Sequence, residues 1–338
     1  MSDVITFGEI MMRLATPGFL RYEQTPHLEL TYGGGEANVA VSLVNYGLTA
    51  DFVTRLPKND MARRAINELR GLGVGTGHIV RGGDRIGIYF IESGASQRAS
   101  KVTYDRAHSA ISEIKPGEVN WESVFKGAKW FHWTGITPAL GDSAAAVVEE
   151  ACKAAKKHGV TISVDLNYRK KLWTREKAGA VMANLMQYVD VCIANEEDAE
   201  SVFGIKGAEV TSGKIEHAQY EEVAKKLTDR FGFKKVAITL RESHSASRNG
   251  WSAMLYVDGK SVFSRKFDIT IVDRVGGGDS FAGGLIFSLL RGDSAEKAIN
   301  FAVAASCLKH TIPGDYNRAT LEEVESLLGG DGSGRVQR

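Results

Sequence analysis

The 338-residue sequence holds only three cysteines, Cys152, Cys192 and Cys307, and they lie far apart. There is no CxxC pair, and an odd, scattered set does not make a disulfide framework; reduced thiols and a cytoplasmic protein are expected. An excess of either charge is also missing. Lys plus Arg number 42 and Asp plus Glu 41, a net charge of +1, with the signs mixed along the chain. Nucleic-acid binders carry a basic excess on one face, so no nucleic-acid partner is expected. No apolar run reaches the ~18 residues of a membrane span, so no membrane partner is expected. Asp3 and Glu9 interrupt the first apolar stretch, which argues against a secretion signal. GxGxxG and HExxH are absent. GAEVTSGKI (207–215) has one residue too many between its glycines for a P-loop, and Ile where Ser or Thr is required. The eight histidines are scattered, and His132 and His310 sit in apolar surroundings that suit satisfied core residues.

What is present is 43% apolar residues, enough for a substantial core. Strand-like and helix-like segments alternate. VITFGEI (4–10), TISVDLN (161–167), DVCIAN (190–195) and KVAITL (235–240) read as strands. GEANVAVSLVNYG (35–47), DSAAAVVEEACKAAKKHG (142–159), a segment near 219–231, GDSFAGGLIFSLLRG (278–292) and SAEKAINFAVAASCLKH (294–310) read as helices. This alternation implies βαβ units and an α/β body with a mostly parallel sheet. HLELTYGGG (27–35) and RIGIYFIESGASQRASKVTYDR (85–106) break the rhythm with β-branched and aromatic alternation around Gly/Ser turns. They predict antiparallel strands outside the main sheet. Trp130, Phe131 and Trp133 suit the core. The Gly-rich polar tail, 329–338, is expected to be flexible.

Ligands of open parallel sheets bind beyond the C-terminal ends of the strands. Asp165, Asn167 and Arg169 follow one predicted strand, Asn195 and Asp198 another, Arg241 and Glu242 a third. At the start of the helix read over 278–292 lies DRVGGGDSFAGG (273–284). Three glycines let the backbone approach a ligand closely, and N–H groups at a helix start make an anion hole. A carboxylate at the mouth of that hole would repel a merely bound phosphate. It makes sense as a base that takes the proton of a hydroxyl attacking the held phosphoryl group. It also makes sense as a helix cap. Local physics leaves both readings of Asp279 open.

Two of these segments resemble a known family. YGGGEANVAVSLVNYG (32–47) resembles the first signature of the ribokinase-like (PfkB) carbohydrate kinases, and DRVGGGDSFAGGLI (273–286) resembles the second. They stand in the family's order, and the likeness covers residues 3–328. GIYFIE, VTYDRAHSA (102–110), DLNYRKKLW (165–173) and KHTIPGDYN (309–317) resemble the branch that acts on 2-keto-3-deoxygluconate. The resemblance implies a Rossmann-like three-layer α/β/α body over residues 1–328. A small β-sheet lid would be inserted at about 12–33 and 86–107 and would often pair with the lid of a second subunit. It implies ATP-dependent phosphorylation of the terminal hydroxyl of a 2-keto-3-deoxy sugar acid, with Mg²⁺ and room for a monovalent cation.

Residue roles follow from the same resemblance. Asp279 matches the catalytic base, and Gly276, Gly277 and Gly278 match the anion hole. Gly34 and Asn38 match sugar contacts, Tyr89, Tyr104 and Arg106 lid-side substrate contacts, and Asp315 a late substrate contact. Arg169 falls between substrate and phosphate. Asn167, Asn195 and Arg241 fall on the nucleotide side, and Asp198 on Mg²⁺, reached through water. Arginines suit a substrate carboxylate, which a neutral hexose lacks. Three features depart from the family pattern. Arg274 and Gly277 replace the commoner Thr and Ala, Asp198 stands in the Glu position of NxxE, and TLRESHSASRNGW (239–251) replaces a Gly-rich strand and loop. The alternatives are a fructokinase or other sugar kinase of this fold, and an inactive sugar- or nucleotide-binding regulator. A Rossmann dehydrogenase is disfavoured by the missing GxGxxG.

Overall fold

Six parallel strands form the middle of the molecule, in the spatial order Lys235–Ser243, Val191–Asn195, Thr161–Asp165, Trp130–Thr134, Val4–Phe7 and Ala50–Val53. The computed structural model describes residues 2–195, 197–207, 217–330 and 332. The P-loop-like stretch from 208 onward, residue 331 and the tail from 333 lie outside the described residues. Both faces of the sheet are covered, which explains why its strands are near-continuous apolar runs. Along Val191–Asn195, Val191 and Ile193 enter one core, and Cys192 and Ala194 enter the other. One core packs under helices Gly35–Asn45, Asp60–Gly71, Gly277–Leu290 and Ala295–Lys309; the other under Asp142–Lys157, Arg175–Met186 and His217–Phe231. This is a three-layer α/β/α body. His132 is buried with Nδ1 2.8 Å from Ser163 Oγ, and Trp130, Phe131 and Trp133 are buried around it.

The segment 239–251, which replaces the family's Gly-rich strand and loop, is a hairpin. Lys235–Ser243 continues past the expected end at 240 and pairs antiparallel with Arg248–Val257 as far as Ser243↔Asn249. Lys260–Phe263 and Phe267–Thr270 then pair with the far strand, so one edge of the sheet is antiparallel. Arg241 and Glu242 are polar because they stand on a hairpin arm beyond the core.

A second sheet of four strands, ordered Glu29–Gly33, Met11–Ala15, Gly87–Glu92, Lys101–Asp105, stands apart from the body. The outer pairings are antiparallel, as expected, but Met11–Ala15 and Gly87–Glu92 run parallel. Its own apolar cluster is small: Met11, Ala15, Tyr89 and Ile91. Tyr32, Met12 and Leu30 of this sheet pack against the body's core, Val275 of the body packs against the small cluster, and polar bonds add to this. Buried Arg13 bridges Asp273 at 2.5 Å and Asp315 at 2.9 Å. At the far side, Ala246 N donates to Ser96 O at 2.7 Å and Ser96 N to Ser247 Oγ at 2.9 Å.

Candidate active site

A cleft of about 340 Å³ opens at the C-terminal strand ends, between the body and the second sheet. Every expected site residue except Asp198 lines it. Asn167 and Arg169 follow strand Thr161–Asp165, Asn195 ends its neighbour, and Arg241 stands on the hairpin arm. Gly34 and Asn38 come from the start of helix Gly35–Asn45. Tyr89, Tyr104 and Arg106 come from the second sheet, and Asp315 from the loop after helix Ala295–Lys309. Gly276, Gly277, Gly278 and Asp279 form the opposite wall.

That wall is built by helix packing. Helix Gly277–Leu290 lies between Gly35–Asn45 and Ala295–Lys309, and a Cβ on Gly283 or Gly284 would press into Ser42 or Ala302. The helix is therefore drawn in close, and its first turn faces the cleft. Gly276 caps it at φ +82°, a left-handed conformation that favours glycine, and a Cβ there would collide with the Asp315 carbonyl. The first amides of a helix have no partner within it, so this turn presents donors to an anion.

Asp279 is the third residue of the helix. Asn38 Nδ2 donates to its Oδ2 at 2.7 Å, while Asn38 Oδ1 accepts from Gly34 N at 3.2 Å. Both ends of the Asn38 amide are therefore engaged, and Asn38 orients the carboxylate. Burial pushes the Asp279 carboxyl up to about 6; the Asn38 bond pulls it down, and nearby Asp315 adds to the rise. A base must be unprotonated to act. We therefore expect kcat/KM to fall as pH drops through about 6 and to be flat above it. A pH–rate profile at saturating donor checks this, and an acid limb in the ordinary carboxylate range, about 4, would contradict the raised carboxyl.

On the second-sheet side, Tyr89 donates to Asp315 Oδ1 at 2.6 Å, the same oxygen that accepts from Arg13. The other Asp315 oxygen, Oδ2, lies against Gly33 on the cleft wall. Tyr104 lies beside Tyr89, ring centroids 6.1 Å apart, and Arg106 stacks its guanidinium over Tyr104 at 5.2 Å. Arg106 is buried and ion-paired with Glu9, and its Nε has no partner among the described residues. Arg169, by contrast, is exposed to the cleft and acts through space on Asp165, Asp198 and Asp279.

Asp198 is set back. Its carboxylate accepts from Tyr168 N at 3.1 Å and Asn195 N at 3.2 Å, tying two strand-end loops together. Of Asp165 and Asp198, it is Asp165 whose carboxylate reaches the cleft, held well above its usual range by burial and by Asp198 and Asp279. Such a carboxylate pair suits Mg²⁺, which keeps most of its waters and takes one or two carboxylates besides phosphate oxygens. Among the described residues no cluster of three or more His, Cys, Asp or Glu could hold a metal.

Sequence reasoning named Asp165 at its strand end without giving it a role, and it passed over Arg13 and Glu36. A lone Arg inside the apolar MMRLA was the available signal for Arg13. Glu36 had none: its Oε1 accepts from Thr134 N at 3.0 Å, Thr134 Oγ1 at 2.8 Å and Thr137 Oγ1 at 2.8 Å, pinning helix Gly35–Asn45 to a strand end. Burial pushes this carboxyl up to about 7 from 4.5. The native state thus holds a proton that the unfolded chain releases, and stability falls as pH rises through that window. Glu36→Gln keeps the acceptor and removes the charge. Its Tm relative to the native protein should rise between about pH 5 and about pH 8; a pH-independent difference in thermal melts would contradict this.

A carboxylate beside a glycine turn that opens a helix, facing a small sheet across a cleft, fits a ribokinase-like sugar kinase, and comparison with known proteins agrees. The chain belongs to the pfkB family of carbohydrate kinases, whose family model matches residues 1–321. It is 34% identical to the 2-dehydro-3-deoxygalactonokinase of Haloferax volcanii, covering 98% of each chain. To the 2-dehydro-3-deoxygluconokinase of Thermoproteus tenax it is 29% identical, covering 97% of this chain and 94% of the other. The crystal structure of 2-dehydro-3-deoxygluconokinase from Thermotoga maritima superposes with a TM-score of 0.94 at 53% identity, over 98% of this chain and 100% of that one.

Proposed function

We propose that this protein transfers the γ-phosphoryl group of ATP to the terminal hydroxyl of 2-keto-3-deoxygluconate. The observation that carries this reading is the Asp279 carboxylate, raised toward neutrality and aimed by Asn38, at the mouth of the Gly276–Gly278 turn. The sugar acid lies against the second sheet. Its carboxylate meets Arg106 and Tyr104, and a hydroxyl donates to Asp315 Oδ2. The terminal hydroxyl gives its proton to Asp279 as its oxygen bonds to the γ-phosphorus, and the bond to the β,γ-bridging oxygen breaks to release ADP. The glycine turn and Arg169 take up charge on the phosphoryl oxygens. Asn167, Asn195 and Arg241 hold the donor. Asp165, with Asp198 behind it, would hold Mg²⁺ largely through water, and the bound ion would supply positive charge for the donor phosphates.

The second sheet acts as a lid. Ser96 reaches the loop carrying Ala246 and Ser247, so one movement can close the sugar and donor sides together and exclude water. Leu14, Ile88 and Phe90 lie half-buried on the sheet face opposite Arg13 and Tyr89. We assign that face to a second copy of the chain, which light scattering would register as a dimer or larger assembly. The free cysteines, two of them buried, suit a reducing cytoplasm.

The Haloferax relative favours a second reading, in which the galactonate-derived epimer is the substrate. Product analysis tests the reaction itself. After incubation with Mg-ATP and 2-keto-3-deoxygluconate, phosphorus NMR should show one phosphomonoester on the terminal carbon and an equal amount of ADP. ADP without a sugar ester, or an ester on another carbon, would overturn the assignment.

A further inference from the structure

Lys309 ends helix Ala295–Lys309, and none of its surface reaches solvent. Among the described residues its ammonium makes one hydrogen bond, Nζ to the Ile312 carbonyl at 3.0 Å. Asp273, Asp315 and Asp279 act on it through space, but Asp273 and Asp315 are already paired with Arg13. A buried ammonium with so few partners is expensive, and its location must justify it.

That location is directly behind the anion hole. A Cβ on Gly276 would come 3.3 Å from Lys309 Cε, so the lysine stem runs against the capping turn. The next residue, His310, lies under Gly277, and its carbonyl accepts from Val272 N at 2.8 Å and Asp273 N at 3.2 Å. Ile312, which receives the ammonium, opens the loop that carries Asp315. Lys309 thus joins the phosphate-side turn to the substrate-side loop. The local charges make the same point. Asp273, Asp315 and Asp279 all act on Lys309 through space, and its charge adds to that of Arg13, paired with Asp273 and Asp315, and of Arg169, which acts on Asp279.

We propose that the Lys309 ammonium is a built-in monovalent cation of the anion hole. As a positioning residue it fixes the Gly276 turn and the 312–315 loop, supplies positive charge behind the transferred phosphoryl group, and makes an added potassium or ammonium ion unnecessary. This rests on the phosphoryl-transfer reading above.

The test combines the native enzyme with two variants. Native turnover should be the same in sodium, potassium, ammonium or tetramethylammonium chloride at equal ionic strength. Lys309→Met keeps the volume and drops the charge; kcat should fall by about 10–1,000-fold, with the sugar-acid KM changing far less. Lys309→Ala leaves a hollow beside the Ile312 carbonyl. Potassium or ammonium should restore about tenfold of its activity, while Lys309→Met, with the hollow filled, should not respond. A native-like kcat in Lys309→Met, a folded Lys309→Ala without rescue, or potassium activation of the native enzyme would each overturn the proposal. If neither variant folds, the native cation series decides alone. If no sugar acid is turned over at all, the function assigned above fails instead; the same cation series is then read on calorimetric binding of a non-hydrolysable ATP analogue.

Discussion

Asp279→Asn is expected to lower kcat by about 100–10,000-fold while leaving both substrates bound. The amide has the carboxylate's shape and can still meet Asn38 after a flip, so the helix start and the glycine turn persist. What it lacks is a lone pair basic enough to take the hydroxyl proton. The residual rate would come from the glycine turn and from proximity. Helix capping predicts a different result. A cap substitution changes stability by about 0.5–2 kcal/mol and leaves kcat nearly intact. Turnover and thermal melts on one preparation separate the two roles, and a folded variant with near-native kcat would end the base assignment.

Arg106→Ala is expected to raise the KM for the sugar acid by an amount worth roughly 2–5 kcal/mol, with the KM for ATP nearly unchanged. The structure adds a second effect. Arg106 is ion-paired with buried Glu9, which also accepts from Ser109 Oγ at 2.9 Å. Removing the guanidinium strands that carboxylate, so Tm should also fall, by an amount equivalent to about 3–5 kcal/mol. Arg106→Lys separates the effects. It keeps a charge near Glu9 and restores much of the Tm, but a point charge cannot hold Glu9 and a substrate carboxylate in fixed forks at once. Its sugar-acid KM should therefore stay high. Equal shifts in both KM values would make Arg106 a structural residue.

The parts of this molecule that were legible in the sequence are those fixed by local chemistry. Strands such as DVCIAN are apolar on both faces and stop on a polar residue, so the parallel sheet and its functional edge could be read directly. The glycine turn before Asp279 was legible because few other sequences permit φ +82° and so close an approach by a neighbouring carbonyl. Long-range pairing was not legible. Nothing near Arg13 reveals that its partners are 260 and 302 residues away. WFHWT did not announce a strand, because its His is tolerated only through Ser163 on the neighbouring strand. The hairpin over 235–257 was hidden by Arg241, Glu242 and Ser243, which are polar yet keep a full ladder to Trp251, Gly250 and Asn249. Asp198 was legible only in part: motif spacing put it at a strand end, but did not show that two backbone amides bond its carboxylate.

The central claim is that this cleft phosphorylates a keto-deoxy sugar acid, and a donor-coupled rate panel tests it most directly. Purified protein with Mg-ATP would be offered 2-keto-3-deoxygluconate, its galactonate-derived epimer, fructose and ribose, and kcat/KM compared. The account predicts turnover of the keto-deoxy acids and a preference over the neutral sugars worth roughly 2–5 kcal/mol, the share assigned to Arg106. A neutral sugar turned over as well as the acids would contradict it.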